Sequence, residues 1–141
     1  MKGKAETPVR KHATGQASVL LRRMAFQAGR TSQLKDADTI HDLRVSVRRL
    51  TECLRVFDQF FPRERVKRVR RKLDLLMGLA SEVRNRDIAL VLLRRAAIPA
   101  GSPLVSTLAQ ERDGAVRVLR EALKRWSRHG SHRRWRARLG L

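Results

Sequence analysis

The chain has 141 residues, the size of one ordinary domain, and 42% of them are hydrophobic, enough for a packed core rather than a disordered basic tail. Thirty-three Lys and Arg oppose thirteen Asp and Glu, a formal charge of +20, so a compact form repels itself unless anions sit on it. The single cysteine, Cys53, excludes a disulfide framework within one chain, and no run approaches the ~20 apolar residues that span a bilayer.

Residues 1–13 read as a disordered basic leader that lacks the apolar core of a signal peptide, which makes a cytoplasmic location the default expectation. From there helical periodicity dominates, and no stretch alternates as a strand does. A first helix is expected over about 15–34, with Ala17, Leu20, Leu21, Met24, Ala25 and Ala28 at helical spacing. Asp36-Ala37-Asp38-Thr39 is a turn rich in N-capping residues. The second helix, about 39–60, is the clearest: Ile40, Leu43, Val47, Leu50, Leu54 and Phe57 recur three and four apart, the seam of a helical bundle, and Pro62 ends it. A third helix over about 63–83 repeats the pattern at Val66, Val69, Leu73, Leu76, Ala80 and Val83. A short fourth follows over about 86–97, then a loop through Pro99, Gly101 and Pro103. A long fifth helix begins near Pro103 and carries Leu104, Leu108, Ala115, Leu119, Ala122 and Trp126, with Gly130 as a break before a basic tail. Short connections between amphipathic helices predict an all-α, antiparallel bundle of about five helices, forming one domain over 14–141.

The cations are 26 Arg and 7 Lys. A GC-rich genome favours Arg codons, but it does not by itself deplete Asp and Glu. Arg also presents a planar fork that matches phosphate oxygens two at a time. At roughly 100° per residue, His41, Arg44, Arg48 and Arg55 form a stripe well away from the apolar seam of helix two, with Arg49 flanking it. Most charge runs are solvated faces with scattered ion pairs. Here Glu52 alone shares the stripe, and one carboxylate cannot neutralise three guanidinium groups. His41 is placed to meet the positive end of the helix dipole. Helix three adds Arg63, Lys67, Arg68, Arg70, Arg71 and Lys72, of which Lys67, Arg70 and Arg71 lie toward the side away from its seam or flank it. Arg84, Arg86 and Asp87 follow, with Asp87 expected to cap a helix or to pair with Arg84.

The segment His41-Asp42-Leu43-Arg44-Val45-Ser46-Val47-Arg48-Arg49-Leu50 resembles the signature helix of the CHAD domain, His-x-x-Arg-Val-x-x-Arg-Arg-Leu. Ala80 through Ile88 resembles the second motif of that family, with Ala80 and Ser81 where the family pattern has Leu-Gly. The resemblance covers about 15–140 and corresponds to the first of two related helical bundles, with no second His-x-x-Arg helix in this sequence. It implies binding of inorganic polyphosphate, association with polyphosphate granules, and His41, Arg44, Arg48, Arg49 and Arg84 as binding positions. The second bundle leaves two alternatives open: a symmetric homodimer rebuilds the surface, or this half acts alone.

A basic nucleic-acid-binding protein is the alternative, since charge alone supports it equally. Aromatic residues are only 4%, leaving Trp126 and Trp135 as the candidate stacking platforms, with Phe26 and Phe57 at the core or its edge. Catalysis is not expected: Asp74, Glu82 and Asp87 are dispersed, no cofactor motif is present, and a metal at His129 and His132 lacks a third ligand. The binding residues expected are therefore His41, Arg44, Arg48, Arg49, Arg55, Lys67, Arg70, Arg71 and Arg84.

Overall fold

A computed structural model describes residues 7–141, and these form helices and connecting turns with no strand among the described residues. Five α-helices run in chain order: α1 Pro8–Thr31, α2 Ala37–Val56, α3 Arg63–Arg95, α4 Pro103–Arg128 and α5 Ser131–Leu139. The all-α bundle expected from periodicity is what the chain forms, but the helices are divided differently.

Helix α1 starts well before the expected boundary. Thr7 accepts a hydrogen bond from the Arg10 N–H (3.2 Å) and Pro8 stands at the first helical position, a pairing that starts helices readily. Ala13 is already buried. The expected disordered leader is thus corrected from Pro8 onward, and its first six residues lie outside the described region. Asp36 caps α2 through the Thr39 N–H and hydroxyl (3.2 and 2.7 Å). The end of α2 is followed by one 3-10 turn, Asp58–Phe60, before Pro62 turns the chain.

The third and fourth helices of the sequence reading are one helix of 33 residues, about 50 Å long. The junction at Arg84-Asn85-Arg86-Asp87 holds neither Gly nor Pro, and Arg86 pairs one turn back with Glu82, so nothing halts propagation. It ends where Ala97 adopts a left-handed conformation (φ 57°) and Ile98 donates its N–H to the Leu93 carbonyl (3.0 Å). Ser102 then caps α4.

Helices α1 to α4 make an up-and-down bundle in which α1 packs on α2, α2 on α3, α3 on α4, and α4 back on α1. Its core is one continuous cluster that includes Leu21, Met24, Leu43, Leu50, Leu54, Leu73, Leu76 and Leu119. Leu50 and Leu73 are fully buried. The expected basic tail is in fact α5. Gly130, at φ 61°, reverses the chain so that α5 lies back on α1, α3 and α4. Trp135 and Leu139 are thereby buried, and Trp135 meets Trp126 edge-on with ring centroids 5.3 Å apart.

Helix α3 outruns its neighbours. Arg112 of α4 reaches the carbonyl of Lys35 in the α1–α2 loop (2.5 Å), which fixes the top of the bundle at that level. Beyond it the α3–α4 hairpin projects alone: no residue from Arg84 to Ala115 is buried. Ile88, Leu92 and Leu104 stand exposed there.

Candidate cation groove between helices two and three

The chain turns at Phe57–Pro62 so that α3 runs antiparallel to α2. That fold brings the two motif segments, far apart in sequence, to the same end of one groove. Arg44 is half-buried, and three causes depress its guanidinium in this order: burial, the positive charge of Arg48, and the positive charge of Arg84 across the groove. Its Nε is buried without a hydrogen-bond partner. A protein seldom leaves such a donor empty unless something outside the chain fills it.

The groove continues toward the other end of α2. Glu52 accepts from Arg55 (2.7 Å); that bond foremost, then the charges of Arg55 and of Arg70, hold its carboxyl below the usual carboxylate range. Arg70 of α3 therefore sits opposite the Glu52–Arg55 pair, as Arg84 sits opposite Arg44. On α3, Arg70 and Arg84 flank the buried stripe of Val66, Leu73 and Ala80 on its α2 side. The result is a row of Arg84, Arg44, Arg48, Arg55 and Arg70 about 20 Å long, with Glu52 as the acid set among it. His41, exposed, stands one turn before Arg44 on the same stripe.

Of the remaining expected members, Arg49 and Arg71 lie elsewhere, while Lys67 stays beside Arg70. Arg49 turns to the opposite flank of α2 and lines the groove between α1 and α2, beside Arg22, Arg23 and Phe26. Lys67, exposed, lines a depression with Arg70 and pairs with Glu64 (3.6 Å). Arg71 projects from the face of α3 opposite its core, at roughly 100° per residue from Arg70. Nor does His41 meet an empty helix end. It is the fifth residue of α2, and the positive end is already faced by the carboxylates of Asp36 and Asp38.

Asp87 does not pair with Arg84. It forms an ion pair with Arg112 of α4, both side chains largely buried, and Arg112 carries the link on to the Lys35 carbonyl. Arg86 meanwhile joins Glu82 and, at 3.6 Å, Glu111. Asp87 and Arg112 tie α3, α4 and the loop before α2 together, one turn beyond Arg84. Arg112 lies 25 residues from Asp87, and no local pattern marks it.

Both tryptophans are buried against each other, which removes them as stacking platforms; Phe26, expected at the core or its edge, is instead 65% exposed. His129 ends α4 and His132 lies beyond the left-handed Gly130, so the two do not share a helical face. Among the described residues no group of three or more His, Cys, Asp or Glu lies together as a metal would require. Among the described residues no helix is long and apolar enough to cross a membrane. Cys53 is buried, and burial pushes its thiol up, away from the reactive thiolate.

His132 offers a separate check on this charge map. Burial chiefly, then the charges of Arg136 and Arg22, lower its imidazole below the usual 6.5. The unfolded chain therefore takes up this proton first as pH falls, and stability should decline from about pH 6.5 downward. The carboxylates held low, Asp36 and Glu52, lose their contribution only at more acid pH. Urea denaturation at pH 7.5 and pH 5.5 should show the loss in the wild type and a smaller loss in His132→Gln. Equal losses would mean that His132 is not the group responsible.

Compared with known proteins, no curated protein and no solved structure matches the chain. A protein-family comparison does match. It runs over residues 17–140, taking in most of α1, all of α2 to α5, and every arginine of the row. With the fold and both motif segments in place, that match over nearly the whole length shows that the chain belongs to the CHAD domain family.

Proposed function

We propose that the protein binds inorganic polyphosphate, without chemical turnover, along the α2–α3 groove. The CHAD domain is associated in general with polyphosphate binding. The observation that carries the reading here is Arg44: half-buried, its Nε unpartnered, and pressed from two helices by Arg48 and Arg84. Placing like charges together in a partly desolvated groove costs stability, and an anion threading between them removes that cost. Polyphosphate supplies about one negative charge per unit and no bases to be read. A row of forked donors with no aromatic platform suits it better than it suits a single-stranded nucleic acid.

The second reading is a basic nucleic-acid binder, favoured by the overall charge of +20. A competition assay separates the two. Polyphosphate, duplex DNA and RNA are offered at matched phosphate concentration and several salt levels. Polyphosphate is expected to displace both nucleic acids, with affinity falling steeply as salt rises. Nucleic acid that displaces polyphosphate at every salt level would overturn the assignment.

A further inference from the structure

On the other flank of α2 from Arg44 and Arg84, α1 and α2 leave a second groove open. Two stretches of it share Leu20, Arg23 and Arg49, so they form one continuous channel. The upper stretch encloses ≈ 600 Å³ and the lower ≈ 520 Å³. The channel runs from His12 to Gln27 along α1, about 22 Å at 1.5 Å per residue.

The lining is amphipathic in a consistent way. The floor is apolar: Leu20, Val45 and Phe57, with Phe26 (65% exposed) and Val56 (58% exposed) standing out of it. The walls are cationic. Arg22, Arg23 and Arg49 face the channel, Arg48 borders its lower stretch, and none of the four has an ion-pair partner among the described residues. The two carboxylates that border it are spent elsewhere, Asp42 on Arg30 (3.4 Å) and Glu52 on Arg55 (2.7 Å). The channel therefore presents exposed apolar side chains between unneutralised positive rims.

We propose that this α1–α2 channel is a docking groove for an acidic amphipathic helix of a partner protein, about four turns long. Charge complementarity and shape both select that occupant. Two packed helices with an open furrow accept a third helix along it, its apolar ridge on the floor and its flanking carboxylates on the rims. A polyphosphate chain has no apolar atoms to place on Phe26 and Val56, so this floor has no use for it. An apolar helix without acids would leave Arg22, Arg23 and Arg49 facing it unpaired, at a desolvation cost. The groove lies on the other flank of α2 from Arg44 and Arg84; Arg48 is the one arginine of the row that borders it, and the apolar floor that carries the inference is no part of the polyphosphate reading.

The test uses the full chain and a synthetic probe. An 18-residue helical peptide carries Leu and Phe at i, i+3, i+4 and i+7, with Glu on the flanking positions; a second peptide has the same composition scrambled to destroy the apolar face. Binding is followed by fluorescence anisotropy. The amphipathic peptide is expected to bind at least about tenfold tighter than the scrambled one. Phe26→Ser, an exposed position whose change leaves every cation in place, is expected to weaken the amphipathic peptide about tenfold and to leave polyphosphate binding within about twofold. Circular dichroism confirms that the variant is folded. Equal binding of the two peptides, or indifference of the amphipathic peptide to Phe26→Ser, would show that the channel attracts negative charge alone and would overturn the proposal. Equal losses of peptide and polyphosphate in Phe26→Ser would also overturn it, because one anion surface would then serve both.

Discussion

Replacing Arg44 and Arg48 with alanine should weaken polyphosphate binding by about a hundredfold at moderate salt, roughly tenfold or 1.4 kcal/mol for each arginine. Each loss should also flatten the dependence of affinity on salt by about one unit or less, since fewer counter-ions are then released. Lysine at the same positions should recover only part of the affinity, because a point charge does not grip two oxygens as the guanidinium fork does. Duplex DNA should lose less, because it can use the cations spread over α3 and α5 instead. Equal losses for both polymers would make this row a general anion surface, and no loss for polyphosphate would remove the site.

The two arginines should nevertheless part company in stability. Arg48 is exposed, and its removal leaves the fold within about 0.5 kcal/mol of the wild type. From sequence both were expected to point freely away from the core, but Arg44 is half-buried with an unpartnered Nε between two like charges. Arg44→Met, which keeps the packing stem and removes the charge, should therefore raise Tm in the absence of anion. The wild type should gain more Tm than this variant when polyphosphate is added, since a ligand stabilises by its affinity for the folded state alone. A lower Tm for Arg44→Met without anion would mean that the guanidinium is already satisfied within the chain.

Some of this was legible in the sequence, and the reasons for the rest are physical. The seam at Ile40, Leu43, Val47, Leu50 and Leu54 is a local property of one helix, so period alone located both the core and the stripe of Arg44, Arg48 and Arg55. Which flank of α2 a side chain serves depends on where α1 and α3 pack, which no local period encodes; period alone therefore sets Arg49 beside the row, whereas packing puts it on the α1 side. The pairing of Asp87 with Arg112 spans 25 residues and appears only when α4 returns along α3. Trp135 looked like a free aromatic in a basic tail because its burial depends on one left-handed residue, Gly130, which folds α5 back. The sequence reading divides α3 near Arg84, but polar residues alone do not stop a helix whose backbone bonds remain intact.

The sharpest stability contrast is expected along α3 itself. Leu73 is fully buried in the bundle core, and Leu73→Ala should cost about 2–5 kcal/mol through lost transfer energy and the cavity left behind. Leu92 has the same side chain on the same helix, five turns further on, where the α3–α4 hairpin projects past the α1–α2 loop and the residue is 57% exposed. Leu92→Ala should change stability by no more than about 0.5 kcal/mol. The difference follows from where the core ends: the last buried residue of α3 is Val83, and α4 has none before Val116. Between Ile88 and Gln110 only Arg94 and Arg95 are charged, so this segment is apolar by composition without being core by position. The length of α3 relative to α1 and α2 leaves it uncovered. Urea denaturation of both variants measures the contrast. A loss for Leu92→Ala comparable to that for Leu73→Ala would mean that the outer hairpin is packed in solution, and that the bundle does not end at the Asp87–Arg112 pair.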